Sequence, residues 1–264
     1  NNINIVEKQM CEQDWNNINY SVVPSKASQI YKNAFRKHSP DNYQLWLDSV
    51  SKGESKVNAK QMQPHELAGN YVNSFWGGCA SSGEDQLTEL QWSQLIKDTM
   101  DSGDFRNCIA MPDMSGSMSG LPMNVAATLG IMVAKIAEKQ GSVFGNLVIS
   151  FSANPNFIQL ENSDSLYANM QKLMNGGSDG FNTDLHKAFS VVISKALENG
   201  VKQSEFPEKI IIFTDMQFDS ATGMPEHTMV EYLDKLFENT PYKRPNIVCW
   251  NLRSTGNVAA TSRT

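Results

Sequence analysis

Asp113, Ser115 and Ser117 stand two residues apart in the stretch Asp113-Met114-Ser115-Gly116-Ser117-Met118, directly after the apolar run Cys108-Ile109-Ala110-Met111. One carboxylate and two hydroxyls at the end of a buried strand offer three hard oxygen donors from a single loop. Mg2+ and Mn2+ select that chemistry, because they favour carboxylate, hydroxyl and water oxygens in near-octahedral shells. The same residues would also serve as an ordinary Ser/Gly turn between a strand and a helix. Two later segments bear on the choice. Asn182-Thr183-Asp184 opens a helical run after Gly176-Gly177-Ser178-Asp179-Gly180, and Asp215 ends the apolar run Ile210-Ile211-Ile212-Phe213-Thr214. Asp113 and Asp215 therefore both fall at the carboxyl ends of predicted strands, where open α/β sheets bind ligands.

The elements that must position these residues follow from periodicity. From residue 107 onward, short apolar runs alternate with amphipathic helices, the signature of a mostly parallel sheet covered on both faces. Strands are expected near 107–112, 146–151, 156–160, 209–214 and 246–251, and helices near 121–139, 164–174, 183–198 and 227–239. Pro122 suits the first turn of its helix. The helix after Thr183 carries one apolar face through Leu185, Ala188, Phe189, Val192, Ile193, Ala196 and Leu197. Residues 1–106 read as helical instead. Ser25 is placed to cap a helix running to His38, Pro40 and Pro64 each suit a helix start, and Ser81-Ser82-Gly83 reads as a linker before a helix through Leu87, Trp92, Ile96 and Met100. Trp and Tyr residues at this spacing read as core rather than as base-stacking platforms.

With Asp113, Ser115, Ser117, Thr183 and Asp215 in place, the chain resembles a von Willebrand factor A domain carrying a metal-ion-dependent adhesion site. The resemblance implies a Rossmann-like α/β fold. It implies that the two Ser hydroxyls bind Mg2+ or Mn2+ directly, that Thr183 binds directly or through water, and that the two Asp act mostly through bound water. Pro112 departs from the apolar residue usual before the first Asp; lacking an N–H, it predicts weaker pairing at the end of this central strand. The family's full sheet has a sixth strand and a last helix. The polar stretch Ser254-Thr255-Gly256-Asn257 and the end at Thr264 supply neither, so the last strand is expected to be absent from residues 107–264.

A second resemblance covers most of the chain with less specific motifs. Val23-Pro24-Ser25-Lys26-Ala27, Tyr31, Ala34-Phe35, Pro64-His65-Glu66-Leu67, Asn182-Thr183-Asp184, Phe213-Thr214-Asp215-Met216-Gln217-Phe218-Asp219 and Val248-Cys249-Trp250-Asn251-Leu252-Arg253 are similar to an intracellular family, domain of unknown function 2828. That family is similar in turn to the TROVE proteins, which include the Ro ribonucleoprotein. This resemblance implies a helical, TROVE-like segment over 1–106 able to hold structured RNA.

Charge and cysteines narrow the classes. The net charge is −6, which argues against polyanion binding by the chain as a whole. Residues 24–60 nevertheless hold seven Lys/Arg against three Asp/Glu, a local +4 that leaves −10 elsewhere. Lys26, Lys32, Arg36 and Lys37 are the candidate RNA contacts, against the plainer reading of a solvated helix face. Cys11, Cys79, Cys108 and Cys249 show no Cys-x-x-Cys, which reads as reduced thiols in an intracellular, cytoplasmic setting and not as a zinc site. No uninterrupted apolar run of membrane-span length is evident.

Other chemistries fail on residue type. Gly116-Ser117-Met118-Ser119-Gly120 has Met where a nucleophile elbow needs Ser. No Gly-Lys-Ser/Thr follows the Gly-rich stretch. His186 reads as a surface or capping residue and Asp219 as a loop cap. One cation with hydroxyl ligands and no adjacent carboxylate pair is a weak start for phosphodiester hydrolysis, and no nucleophile with a matched base stands out. The expectation is a non-enzymatic, metal-dependent module that engages an Asp or Glu of a protein partner; the alternative is an RNA scaffold.

Overall fold

The computed structural model describes residues 5–75, 83–150, 154–176, 185–215 and 226–253. Within them the chain is α/β, with five strands: β1 (Cys108–Pro112), β2 (Leu147–Ile149), β3 (Phe157–Gln159), β4 (Lys209–Thr214) and β5 (Asn246–Asn251). The sheet order is β3-β2-β1-β4-β5. β1 pairs in parallel with β2 and β4, β4 pairs in parallel with β5, and β3 runs antiparallel to β2. The mostly parallel sheet is thus as expected. β2 and β3 are shorter than the runs 146–151 and 156–160. Asn146 takes a left-handed φ of 62°, which breaks the extended chain before β2. Ser150 turns back to bond the Asn156 carbonyl at 2.9 Å.

Burial on both faces explains why β1 is apolar throughout. Alternate residues face opposite layers: Cys108 and Ala110 join a cluster with Ile131 and Phe213, while Ile109 and Met111 join Phe189, Ile212 and Leu233. The first layer includes α6 (Leu121–Lys139) and α7 (Leu166–Gly176), the second α8 (Leu185–Glu198) and α9 (Glu226–Glu238). α6 closes tightly over β1, since a Cβ on Gly130 would lie 3.0 Å from Cγ of Pro112. The helix also corrects one expectation: at 19 residues it is long and apolar enough to cross a membrane, although 67% of that window is buried within the fold.

Among the described residues five α-helices precede the sheet: α1 (Val6–Cys11), α2 (Ser25–His38), α3 (Pro40–Ser51), α4 (Pro64–Phe75) and α5 (Gln86–Met100). Ser25 begins α2 but does not cap it; its hydroxyl instead accepts the Gln61 N–H at 3.3 Å. At α4 the Glu66 carboxylate reaches back to the Gln63 N–H at 2.8 Å, half of a capping box. Among the described residues most aromatics of this segment are core, as their spacing predicted, with Trp15 and Tyr31 partly buried against it. Tyr20, Phe35, Tyr43 and Trp46 form one cluster, and Tyr71 and Trp92 enter the layer shared with α6 and β1. On β5, Ile247 and Cys249 face the α8–α9 layer, whereas Val248 and Trp250 are 44% and 54% exposed. The linker residues Ser81 and Ser82, and the polar stretch 254–257, lie outside the described residues.

Candidate metal centre

Asp113 is the first residue after β1 and Asp215 the first after β4. These strands are neighbours, and the chain order reverses between them, with β2 and β3 to one side and β5 to the other. A crevice opens outside the carboxyl ends of strands at such a switch point. The Asp113 N–H donates to the Phe213 carbonyl at 2.9 Å, continuing the β1–β4 ladder past Pro112. By strand alternation, the N–H that Pro112 lacks would point toward β2 and not β4. The weakening expected from Pro112 therefore spares the pairing that sets the two acidic residues side by side.

Local bonds fold the loop. The Asp113 Oδ1 accepts the Ser115 N–H at 2.9 Å, an Asx turn. A 3-10 turn over Gly116–Met118 follows, closed by the Met118 N–H on the Ser115 carbonyl at 3.0 Å. The Met118 side chain is fully buried and anchors the turn. Gly120, at φ 90°, then redirects the chain into α6, a conformation that favours glycine.

The result places Ser115 Oγ and Ser117 Oγ 3.0 Å apart. Adjacent ligands at ~2.1 Å in an octahedral Mg2+ shell are themselves about 3.0 Å apart, so the two hydroxyls are spaced like neighbouring corners of that shell. Asp113, which opens the loop, and Asp215, at the adjacent strand end, are 0% and 1% exposed. Burial raises the Asp113 carboxyl above its usual range, bonds from Ser115 and Thr214 pull it back, and the charge of Asp215 raises it further. A hard divalent cation would relieve that crowding of buried negative charge, and the donor set fits one. Among the described residues no three His, Cys, Asp or Glu side chains come together, so the fit rests on hydroxyl oxygens.

Of the predicted ligands, Asp113, Ser115 and Ser117 share this loop, and Asp215 lies at the adjacent strand end. Thr183, Asp184 and Asp219 lie outside the described residues. Sequence reasoning missed Thr214, whose Oγ1 donates to Asp113 Oδ2 at 2.7 Å. Its signal was a hydroxyl as the last residue of an otherwise apolar strand. The candidate RNA contacts lie apart on α2. Lys26 pairs with Glu66 at 2.9 Å, while Lys32 and Arg36 both pair with Asp85, at 3.2 and 2.5 Å. Lys37 is exposed.

Fold and site together define an α/β protein with paired acidic residues at a sheet switch point. Residues 107–264 match the family described as Domain of unknown function (DUF7788), and the chain belongs to that family. Residues 1–105 match Domain of unknown function (DUF2828). The resemblance to the latter, expected across most of the chain, is thus found in its first part, and a separate family covers the sheet. The chain is similar to "Uncharacterized protein L728" of Acanthamoeba polyphaga mimivirus, 34% identical over 268 residues. That match covers 97% of this chain but 45% of the viral protein, so the chain spans about half of its relative's length. No solved structure matches.

Proposed function

We propose that residues 107–264 are a von Willebrand factor A-like, non-enzymatic binding module. In this reading Asp113, Ser115, Ser117, Thr183 and Asp215 hold Mg2+ or Mn2+, and the module engages an Asp or Glu of a protein partner in an intracellular complex. The carrying observation is the 3.0 Å separation of the Ser115 and Ser117 hydroxyls, which are within hydrogen-bond distance, in a loop that begins at the buried Asp113 next to the strand end that carries the buried Asp215. The sheet order and the Asp-x-Ser-x-Ser sequence support it as well. Bound there, the ion would supply an electrophilic position for an incoming carboxylate. The chain's own part is to present the hydroxyls, keep the aspartates buried, and hold the loop in one shape. We place function at this loop and not on α2, because Lys26, Lys32 and Arg36 already meet internal carboxylates.

Retention on immobilised peptides tests the partner chemistry. Asp- or Glu-bearing peptides should retain the protein in Mg2+, and their Asn or Gln counterparts should not. EDTA and Asp113→Ala should each abolish retention. Retention indifferent to EDTA and to Asp113→Ala would refute the reading.

A further inference from the structure

Resting on the reading of the loop as a divalent-cation site, we propose that Thr214 is a positioning residue of that site, fixing the Asp113 carboxylate from the neighbouring strand. Thr214 is the last residue of β4 and is fully buried. Its own carbonyl accepts the Leu252 N–H at 2.9 Å, so β5 holds the backbone that presents the hydroxyl. A β-branched side chain has few rotamers, which keeps the hydroxyl aimed.

The two oxygens of Asp113 are held from different directions. The Asp113 loop itself holds Oδ1, through the Ser115 N–H at 2.9 Å. β4 holds Oδ2, through the Thr214 hydroxyl at 2.7 Å. The carboxylate therefore ties the hydroxyl-bearing loop to the strand that carries Asp215 one residue further on. Without the Thr214 hydroxyl, Asp113 keeps its bond from the Ser115 N–H but loses the one that Oδ2 accepts from β4, so its second oxygen is no longer aimed from that strand. Groups of this kind, which touch a ligand and not the ion, typically contribute about 10–100-fold to metal affinity.

The test is Mn2+ titration by calorimetry on the parent, Thr214→Val and Thr214→Ser, with urea unfolding of each in EDTA. Thr214→Val keeps the shape and removes the donor; it should bind Mn2+ about 10–100-fold more weakly. Thr214→Ser, which restores the donor, should lie within a few-fold of the parent. A Thr214→Val protein that loses stability in EDTA yet binds Mn2+ like the parent would overturn the proposal and leave the cation site standing. A parent that binds no Mn2+ would remove the site and this role with it. Should Thr214→Val not fold, Thr214→Ala takes its place, and parental affinity there overturns the proposal equally.

Discussion

Glu89 of α5 accepts the backbone N–H of Leu166, the first residue of α7, at 2.6 Å, and its other oxygen accepts the Tyr167 N–H at 3.0 Å. One side chain from the helical segment thus satisfies two N–H groups at the start of a helix packed in the sheet's layer. A helix N-terminus favours a carboxylate both for its unpaired donors and for its dipole. Glu89→Ala should lower stability by about 1–3 kcal/mol, the cost of leaving such donors unsatisfied, measured by urea unfolding.

The same residue predicts a pH dependence. Burial raises the Glu89 carboxyl above its ordinary value, against the pull of the Leu166 and Tyr167 N–H groups and the Tyr71 hydroxyl, with Glu84 adding a smaller rise. The folded state then binds more protons than the unfolded chain between the ordinary and the raised value. Its contribution to stability is present below the ordinary carboxylate range and is lost as pH rises through the raised value. Glu89→Gln should flatten that slope in unfolding free energy measured from pH 4 to 7; an unchanged slope would contradict the assignment.

Asp85 predicts the opposite sign. Burial works against its ionisation, but bonds from Arg36 and Thr88 and the charge of Lys32 outweigh it and bring the carboxyl down to about 2. The stability it contributes is present above the ordinary carboxylate range and is lost as pH falls toward 2. Asp85→Asn should cost about 2 kcal/mol at pH 7 and much less near pH 2. Equal cost at both would show that capping of α5 through the Thr88 N–H, and not charge, sets the effect.

Gly130 and Pro112 should prove coupled. In a helix interior Gly→Ala favours folding by about 1 kcal/mol, yet here the new Cβ would sit 3.0 Å from a ring that cannot rotate aside. Overpacking costs about 1–3 kcal/mol. Gly130→Ala is expected to destabilise the parent and to cost less in a Pro112→Ala background, where the Cγ contact is gone and a Cβ contact at 3.2 Å is left. Chemical unfolding of the four proteins checks this, and additive effects would contradict it.

What the sequence disclosed, and what it hid, follows from how each feature is encoded. Strands β1 and β4 are apolar runs buried against two layers, and β5 is an apolar run that packs on one layer through Ile247 and Cys249, so their positions are written in composition. The Asp113–Ser117 loop is written in residue type and spacing. The antiparallel run of β3 is not, since it depends on how the chain returns between Ser150 and Asn156, which bond each other, and apolar patterning does not carry strand direction. The Glu89–Leu166 bond joins residues 77 positions apart, and the pairing of Lys32 and Arg36 with Asp85 spans about fifty. Periodicity reports which face of a helix is polar; it does not report which distant backbone or carboxylate that face meets. For the same reason the sequence shows the positive charge of α2 but not that Lys26, Lys32 and Arg36 pair with Glu66 and Asp85.

The cation site itself is tested most directly by thermal unfolding of the parent and Ser115→Ala with Mg2+, Mn2+ or EDTA. A cation that binds only the folded state adds about 2.7 kcal/mol at one hundred times its Kd, and each kcal/mol moves Tm by about 2–4 °C for a domain of 150–250 residues. The expected result is a rise in Tm with Mg2+ or Mn2+ in the parent that EDTA reverses and Ser115→Ala lacks. A parent Tm unmoved by either ion up to millimolar concentrations, or a rise of equal size in Ser115→Ala, would contradict a cation held by the Asp113–Ser117 loop.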